Sequence, residues 1–287
     1  MAELVTTDTR ATAPGEGVPP IPGEVAELIR ARAGERLAPL VHGLFRSSLA
    51  LEPAPEADAD GGGTDTDVAD GEAVGRLGGL PALPEDTAWP EFAGRPMQLL
   101  AELDCAALAA AFAAPGTGPG PDAESDAGDW PLPADGLLLF FHDEWLADFT
   151  GRGCRVLHVP AGAPPRPAPA AEHGTPAVPA VPVRATRALS APSYQDRELE
   201  RLFPDDFLIA LDLAQDLAEQ LPRPTARVLG WCDTDTGRPE GHRPLLQLES
   251  AVLDADWGEC VNVSFWITPD DLAAARFDRV RHGFEIA

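Results

Sequence analysis

Two short apolar runs carry the polar side chains best suited to chemistry. Leu99-Leu100-Ala101-Glu102-Leu103-Asp104 and Leu245-Leu246-Gln247-Leu248-Glu249 read as strands. Side chains alternate along a strand, so Leu100, Glu102 and Asp104 share one face, as Leu245, Gln247 and Glu249 do. Two readings are open. Either these faces meet water, as antiparallel sheets permit, or they turn toward a shared cleft where Glu102 binds a polar ligand or shuttles a proton. Trp257 and Glu259, on either side of Gly258, join Glu102, Gln247 and Glu249 as the candidate binding cleft.

Other reactive residue types lack the spacing their chemistry needs. His142-Asp143-Glu144 clusters an imidazole with two acids, but the same residues make an exposed strand end and a helix start. Asp254-Ala255-Asp256 and Asp233-Thr234-Asp235 suggest calcium, yet the twelfth loop position, which needs a carboxylate, falls on Phe265 and Pro244. Both stretches read as turns. Cys105, Cys154, Cys232 and Cys260 form no CxxC pair and read as buried thiols. Neither HExxH nor GxSxG occurs, and Gly116-Thr117-Gly118-Pro119-Gly120 follows a helix rather than a strand, which excludes a phosphate loop. All 21 basic residues are arginine, so lysine chemistry is excluded. No catalytic residue, cofactor or metal is assigned.

The elements that position these residues are legible in outline. Helical spacing begins after Pro22, with Gly34 and Pro39 marking a kink, and Ser48-Leu49-Ala50-Leu51 reads as a short strand. A stripe of Phe207, Ala210, Leu211, Ala214, Leu217, Ala218 and Leu221 makes a packing helix from about Asp205 to Leu221, ended by Pro222. Asp104 can cap a helix over Cys105 to Ala114, and Thr268-Pro269-Asp270-Asp271 is a helix start.

An internal repeat is the most informative feature. Arg95-Pro96, Leu99 to Asp104, Gly136 to Phe141 and Asp143 to Ala147 recur as Arg243-Pro244, Leu245 to Glu249, Gly258 with Val261 to Ile267, and Asp270 to Ala274. Each copy reads strand, glycine-led strand, acid-started helix.

Charge bounds the partners. Acids outnumber bases 47 to 21, for a net charge of −26, which disfavours nucleic acid and admits a basic partner. Half of the excess lies in two Gly-rich stretches without arginine, around Glu52 to Glu72 and Asp122 to Asp135. The opening residues Met1 to Asp8 lack an apolar run, and no stretch approaches the ~20 residues of a membrane span. A soluble cytoplasmic protein is expected, and the Arg and Ala/Pro/Gly bias fits a GC-rich bacterial genome.

Gly78-Gly79-Leu80-Pro81-Ala82-Leu83-Pro84 with Trp89-Pro90, Leu99 to Leu103, Leu132-Pro133 with Gly136 to Phe141, Leu245 to Ser250, Trp257-Gly258-Glu259 and Asp271-Leu272 together resemble the YwqG-like family of bacterial proteins, a domain of unknown function. The resemblance spans about Arg76 to Val280. It implies an α+β fold with a large, mostly antiparallel sheet built from two related halves with flanking helices, and no established activity. The family pattern leads one to expect Gln at Glu102 and Asp at Glu249 and Glu259, and Trp231-Cys232-Asp233 replaces its usual residues.

The expected organisation is a flexible tail at 1–20, a helical segment at 21–51, an acidic disordered linker at 52–73, and the YwqG-like domain at 74–287 with Pro-rich insertions near 115–129 and 161–182. The expected function is non-enzymatic binding of a protein or small molecule, toxin neutralisation being one form. The alternative is a hydrolase whose carboxylates meet in a cleft between the halves.

Overall fold

The computed structural model describes residues 21–54, 72–114, 130–143, 152–169, 178–194, 196–232, 238–253 and 260–286. Its elements begin with α1 (Gly23–His42), β1 (Arg46–Pro53) and β2 (Gly75–Leu77). A small hairpin of β3 (Glu91–Phe92) and β4 (Arg95–Pro96) leads to β5 (Gln98–Asp104), α2 (Cys105–Ala113), β6 (Leu137–His142) and β7 (Cys154–Val159). There follow β8 (Val181–Ser190), α3 (Arg197–Glu200), α4 (Phe207–Gln220), β9 (Ala226–Leu229), β10 (Arg243–Glu249), β11 (Cys260–Ile267), α5 (Pro269–Ala273) and β12 (Arg281–Ile286). The expected α+β class is the observed one.

Local chemistry sets the element ends. The Asp104 carboxylate accepts from Ala107 N at 2.9 Å to cap α2, and Thr268 Oγ1 accepts from Asp271 N at 3.1 Å to cap α5, with Pro269 in the first turn. The kink expected in α1 falls at Gly34, whose φ of 72° leaves the helical region.

Ten strands form one antiparallel sheet in the order β12-β11-β10-β9-β1-β8-β2-β5-β6-β7. The order reads alike from both edges. The run β1, β2, β5, β6, β7 occupies one side and the run β8 to β12 the other, except that β1 and β8 change places at the centre. Register follows suit: Arg76 stands opposite Glu102 and Arg227 opposite Gln247, with irregularities between Leu99 and Ala101 and between Pro244 and Leu246. Gly78 and Gly79 after β2 have positive φ, as do Leu229 and Gly230 at the end of β9.

The same register corrects one detail of the expected repeat. Arg95 and Pro96 belong to the β3-β4 hairpin, whereas Arg243 and Pro244 lie in β10 and correspond to Gln98 and Leu99 of β5. The Arg-Pro match is therefore out of register. Past Asp143, the expected first-copy helix lies outside the described residues.

One face of the sheet holds the main core, where Phe140 of β6 meets Phe265 of β11 edge-to-face at 5.2 Å although six strands separate them in the sheet. The sheet is thus curled into an almost closed barrel. At the seam between its edges Cys154 Sγ lies 3.5 Å from Val280 O, and His158 packs against Phe277. A second cluster joins α1, α3 and α4 to Leu189 and Ala191 at the end of β8. A third, of Leu83, Met97, Leu99, Leu139, Phe141 and Val159, lies beneath the segment that contains the β3-β4 hairpin.

Candidate functional site

Glu102 and Gln247 sit at matching places in the sheet, and both are buried, on the face opposite the main core. Neither meets water. Nor do they share a cleft: they lie on the outer face of the curled sheet, with β2, β8, β1 and β9 between their strands.

Glu102 is an anchor. Its Oε1 lies 2.7 Å from Arg76 Nη2 and its Oε2 accepts from Ala82 N at 2.6 Å. Arg76 Nη2 also donates to Leu80 O at 2.6 Å, so one ion pair pins the chain after β2 onto the sheet, over the cluster of Leu83, Met97 and Leu139. Arg166 holds the same loop from outside, donating to Pro84 O at 2.7 Å and Thr87 O at 3.0 Å. Both oxygens of Glu102, the acid expected to shuttle a proton, are therefore engaged in structure.

Gln247 belongs to a buried polar stripe. It stands between Arg227 of β9 and Ser264 of β11. Arg227 donates from Nη1 to Ser48 Oγ and from Nη2 to Pro222 O, each at 3.0 Å, and Ser48 Oγ donates to Ala188 O at 3.1 Å. Ser264 Oγ donates to Asn262 Oδ1 at 3.2 Å and receives the Cys232 thiol at 3.6 Å. By register, the first-half counterparts of Asn262 and Ser264 are Leu137 and Leu139. One half of the sheet is thus apolar and roofed where the other is polar.

Beside this stripe lies a recess of about 40 Å3, bounded by Ser190 to Ser193, by the last turns of α4, and by Arg223, Arg227 and Cys232. Of the other expected site residues, Glu249 is half-buried at the end of β10, its N–H bonded to Thr225 O at 2.8 Å. Trp257 and Glu259 lie outside the described residues, as do Asp233 to Gly237, Asp254 to Asp256 and Glu144. Arg227, Ser48, Asn262 and Ser264 went unrecognised in the sequence. Their signal was a polar residue at the outward position of a short apolar strand, clearest for Arg227 in Ala226-Arg227-Val228-Leu229.

Burial also acts on His142, Cys105 and Cys260. Burial, and then the neighbouring His282, lowers the pKa of His142 to about 3, and its Nε2 lies 3.2 Å from Gln98 Oε1. Burial, with Asp104 and Asp135 nearby, pushes the Cys105 thiol up to about 12, and burial also raises Cys260. Both shifts favour the thiol over the nucleophilic thiolate. Asp143 Oδ1 lies 3.5 Å from Arg95 Nη2.

The profile of a family described as a domain of unknown function, DUF1963, matches residues 75–285. The chain belongs to that family. The resemblance expected from Arg76 to Val280 falls within the match, and no curated protein matches the chain. The DUF1963 match starts at Gly75, the first residue of β2, so α1 and β1 stand outside it although β1 lies at the centre of the sheet, between β8 and β9.

Proposed function

We propose that this DUF1963 chain is a non-enzymatic binding protein of a bacterial cytoplasm, in the YwqG-like group, with its ligand-facing part in the second half of the sheet. The observation that carries the reading is the use of Glu102: the residue is 5% exposed and its carboxylate holds Arg76 and Ala82 N, which suits a scaffold rather than a proton shuttle. The polar stripe beside the α4 recess supports the second half as the place of contact. Four buried free thiols suit a reducing compartment, and the Arg-for-Lys bias suits a GC-rich bacterial genome. The charge of −26 favours a basic protein as the macromolecular partner, a basic toxin being one of that chemistry. The mirrored strand order, matched bulges and matched Arg76 and Arg227 support descent of the two halves from one duplicated unit.

The test is capture from host lysate with the wild-type chain and with Glu102→Gln, read by mass spectrometry. One and the same bound species with both proteins is expected. A species consumed by the wild type and left intact by Glu102→Gln would return Glu102 to catalysis and overturn the reading.

A further inference from the structure

We propose that the recess beside α4 is a carboxylate site, taking the anionic group of a ligand whose adjoining part is small and apolar. The proposal rests on the reading of the second half as the ligand-facing part. Its wall is apolar, made by Ala214, Leu217 and Ala218 of α4, and its polar side carries Arg223, Arg227 and Ser193. No acidic side chain among the described residues lines it, in a chain whose acids outnumber its bases 47 to 21. Asp196 follows Ser193 closely, but its carboxylate is turned to Arg238 Nη1 at 2.9 Å and to Ser193 N at 2.9 Å.

The two guanidiniums do different work. Arg227 is 3% exposed and fixed by Ser48 Oγ and Pro222 O, so its plane is set before any ligand arrives. Arg223 is exposed at the recess and makes no hydrogen bond or ion pair among the described residues, so it can close over an anion. The recess lies at the C-terminal end of α4, whose dipole opposes an anion with about half a unit charge. The full positive charge of Arg223 outweighs it, and Arg227 already takes Pro222 O. The volume of about 40 Å3 has space for about three water molecules, which suits a flat carboxylate rather than a whole cofactor.

That chemistry has two sources, a free short-chain acid and the C-terminus of a polypeptide ending in a small residue. The experiment is a thermal-shift and calorimetric titration of the full chain with isobutyrate and with its neutral isostere isobutyramide. N-acetyl-Gly-Ala with a free or an amidated C-terminus forms the second pair. Saturable binding of isobutyrate in the millimolar range, with no response to the amide, is expected. Arg223→Ala, at an exposed position, should weaken it at least about tenfold, and Ala218→Leu, which fills the recess without changing charge, should abolish it. Tighter binding of the free peptide than of isobutyrate assigns a polypeptide terminus, and equal or weaker binding assigns a free acid; both support the site. Equal responses to acid and amide, no saturable response, or wild-type affinity in both folded variants would overturn it. If carboxylates fail while lysate capture still recovers a partner, the binding reading stands and only the ligand class falls.

Discussion

Glu102 and Gln247 occupy matching places, yet only one of them carries a charge. Glu102 has Arg76 and Ala82 N as partners, so removing the charge while keeping the shape isolates the ion pair. Glu102→Gln should lower unfolding free energy by about 1 to 3 kcal/mol, because Arg76 is partly exposed and partly rehydrates. Urea denaturation reads this, and an unchanged midpoint would make the pair incidental. His142 gives a pH signature. Its folded pKa, about 3, lies below the value of 6.5 it has when exposed, so the unfolded chain takes up the proton first as pH falls. Stability from this group is complete above pH 6.5 and declines by up to about 1.4 kcal/mol per pH unit as pH falls toward 3. Carboxylates take over below about pH 4, so the slope between pH 6.5 and 5 includes the His142 contribution. A His142→Gln variant should reduce that slope. The strand-end reading expected His142 to be exposed, yet it is fully buried; neither its burial nor its neighbour His282 is legible in the sequence, because their meeting depends on closure of the sheet.

At the scale of elements, the join after β9 shows how close approach rather than backbone conformation sets a requirement. Gly230 and Gly241 share a φ of 73°. A Cβ at Gly230 would meet Ser190 Oγ and lie 2.7 Å from Ser48 Cβ, whereas one at Gly241 meets nothing within 4 Å. Gly241→Ala should therefore cost about 1 kcal/mol of backbone strain, and Gly230→Ala roughly 1 to 3 kcal/mol beyond that from crowding. Similar melting temperatures for the two variants would contradict the packing described. The sequence shows α4 well, because its apolar stripe has period 3.6 and Pro222 stops it, and it shows β5, β6, β10 and β11 through their apolar runs. It hides β8, whose first residues, Val181 and Pro182, fell in the expected Pro-rich insertion at 161–182. It hides β9 as well, four residues long with an arginine at its centre. Short strands with mixed burial carry little periodic signal, and which strands pair is fixed by contacts far apart in the chain.

For the whole molecule, the centre of the sheet is where the two runs cross, and β1 is the strand that joins them. Its register with β8 extends from Arg46–Ser190 to Pro53–Val183, and with β9 from Ser48–Leu229 to Leu51–Ala226. A chain beginning at residue 72 keeps the whole of the DUF1963 match but leaves β8 and β9 with open edges in mid-sheet. It should lose cooperative thermal unfolding, seen by circular dichroism, and a sharp transition in that chain would show that β1 is dispensable. The same centre bears on function, since the outer face of the curled sheet and the four strands between β5 and β10 keep Glu102 and Gln247 from one cleft and leave the polar stripe of the second half as the place for a ligand. The most direct measurement of that account is stoichiometry: the purified chain is mixed with a large excess of host metabolite and protein extract, and every depleted species is quantified against time by mass spectrometry. Binding predicts depletion that stops at about one equivalent of ligand per chain, with the ligand recovered unchanged on denaturation, whereas depletion that continues through many equivalents with a new product growing in would contradict it.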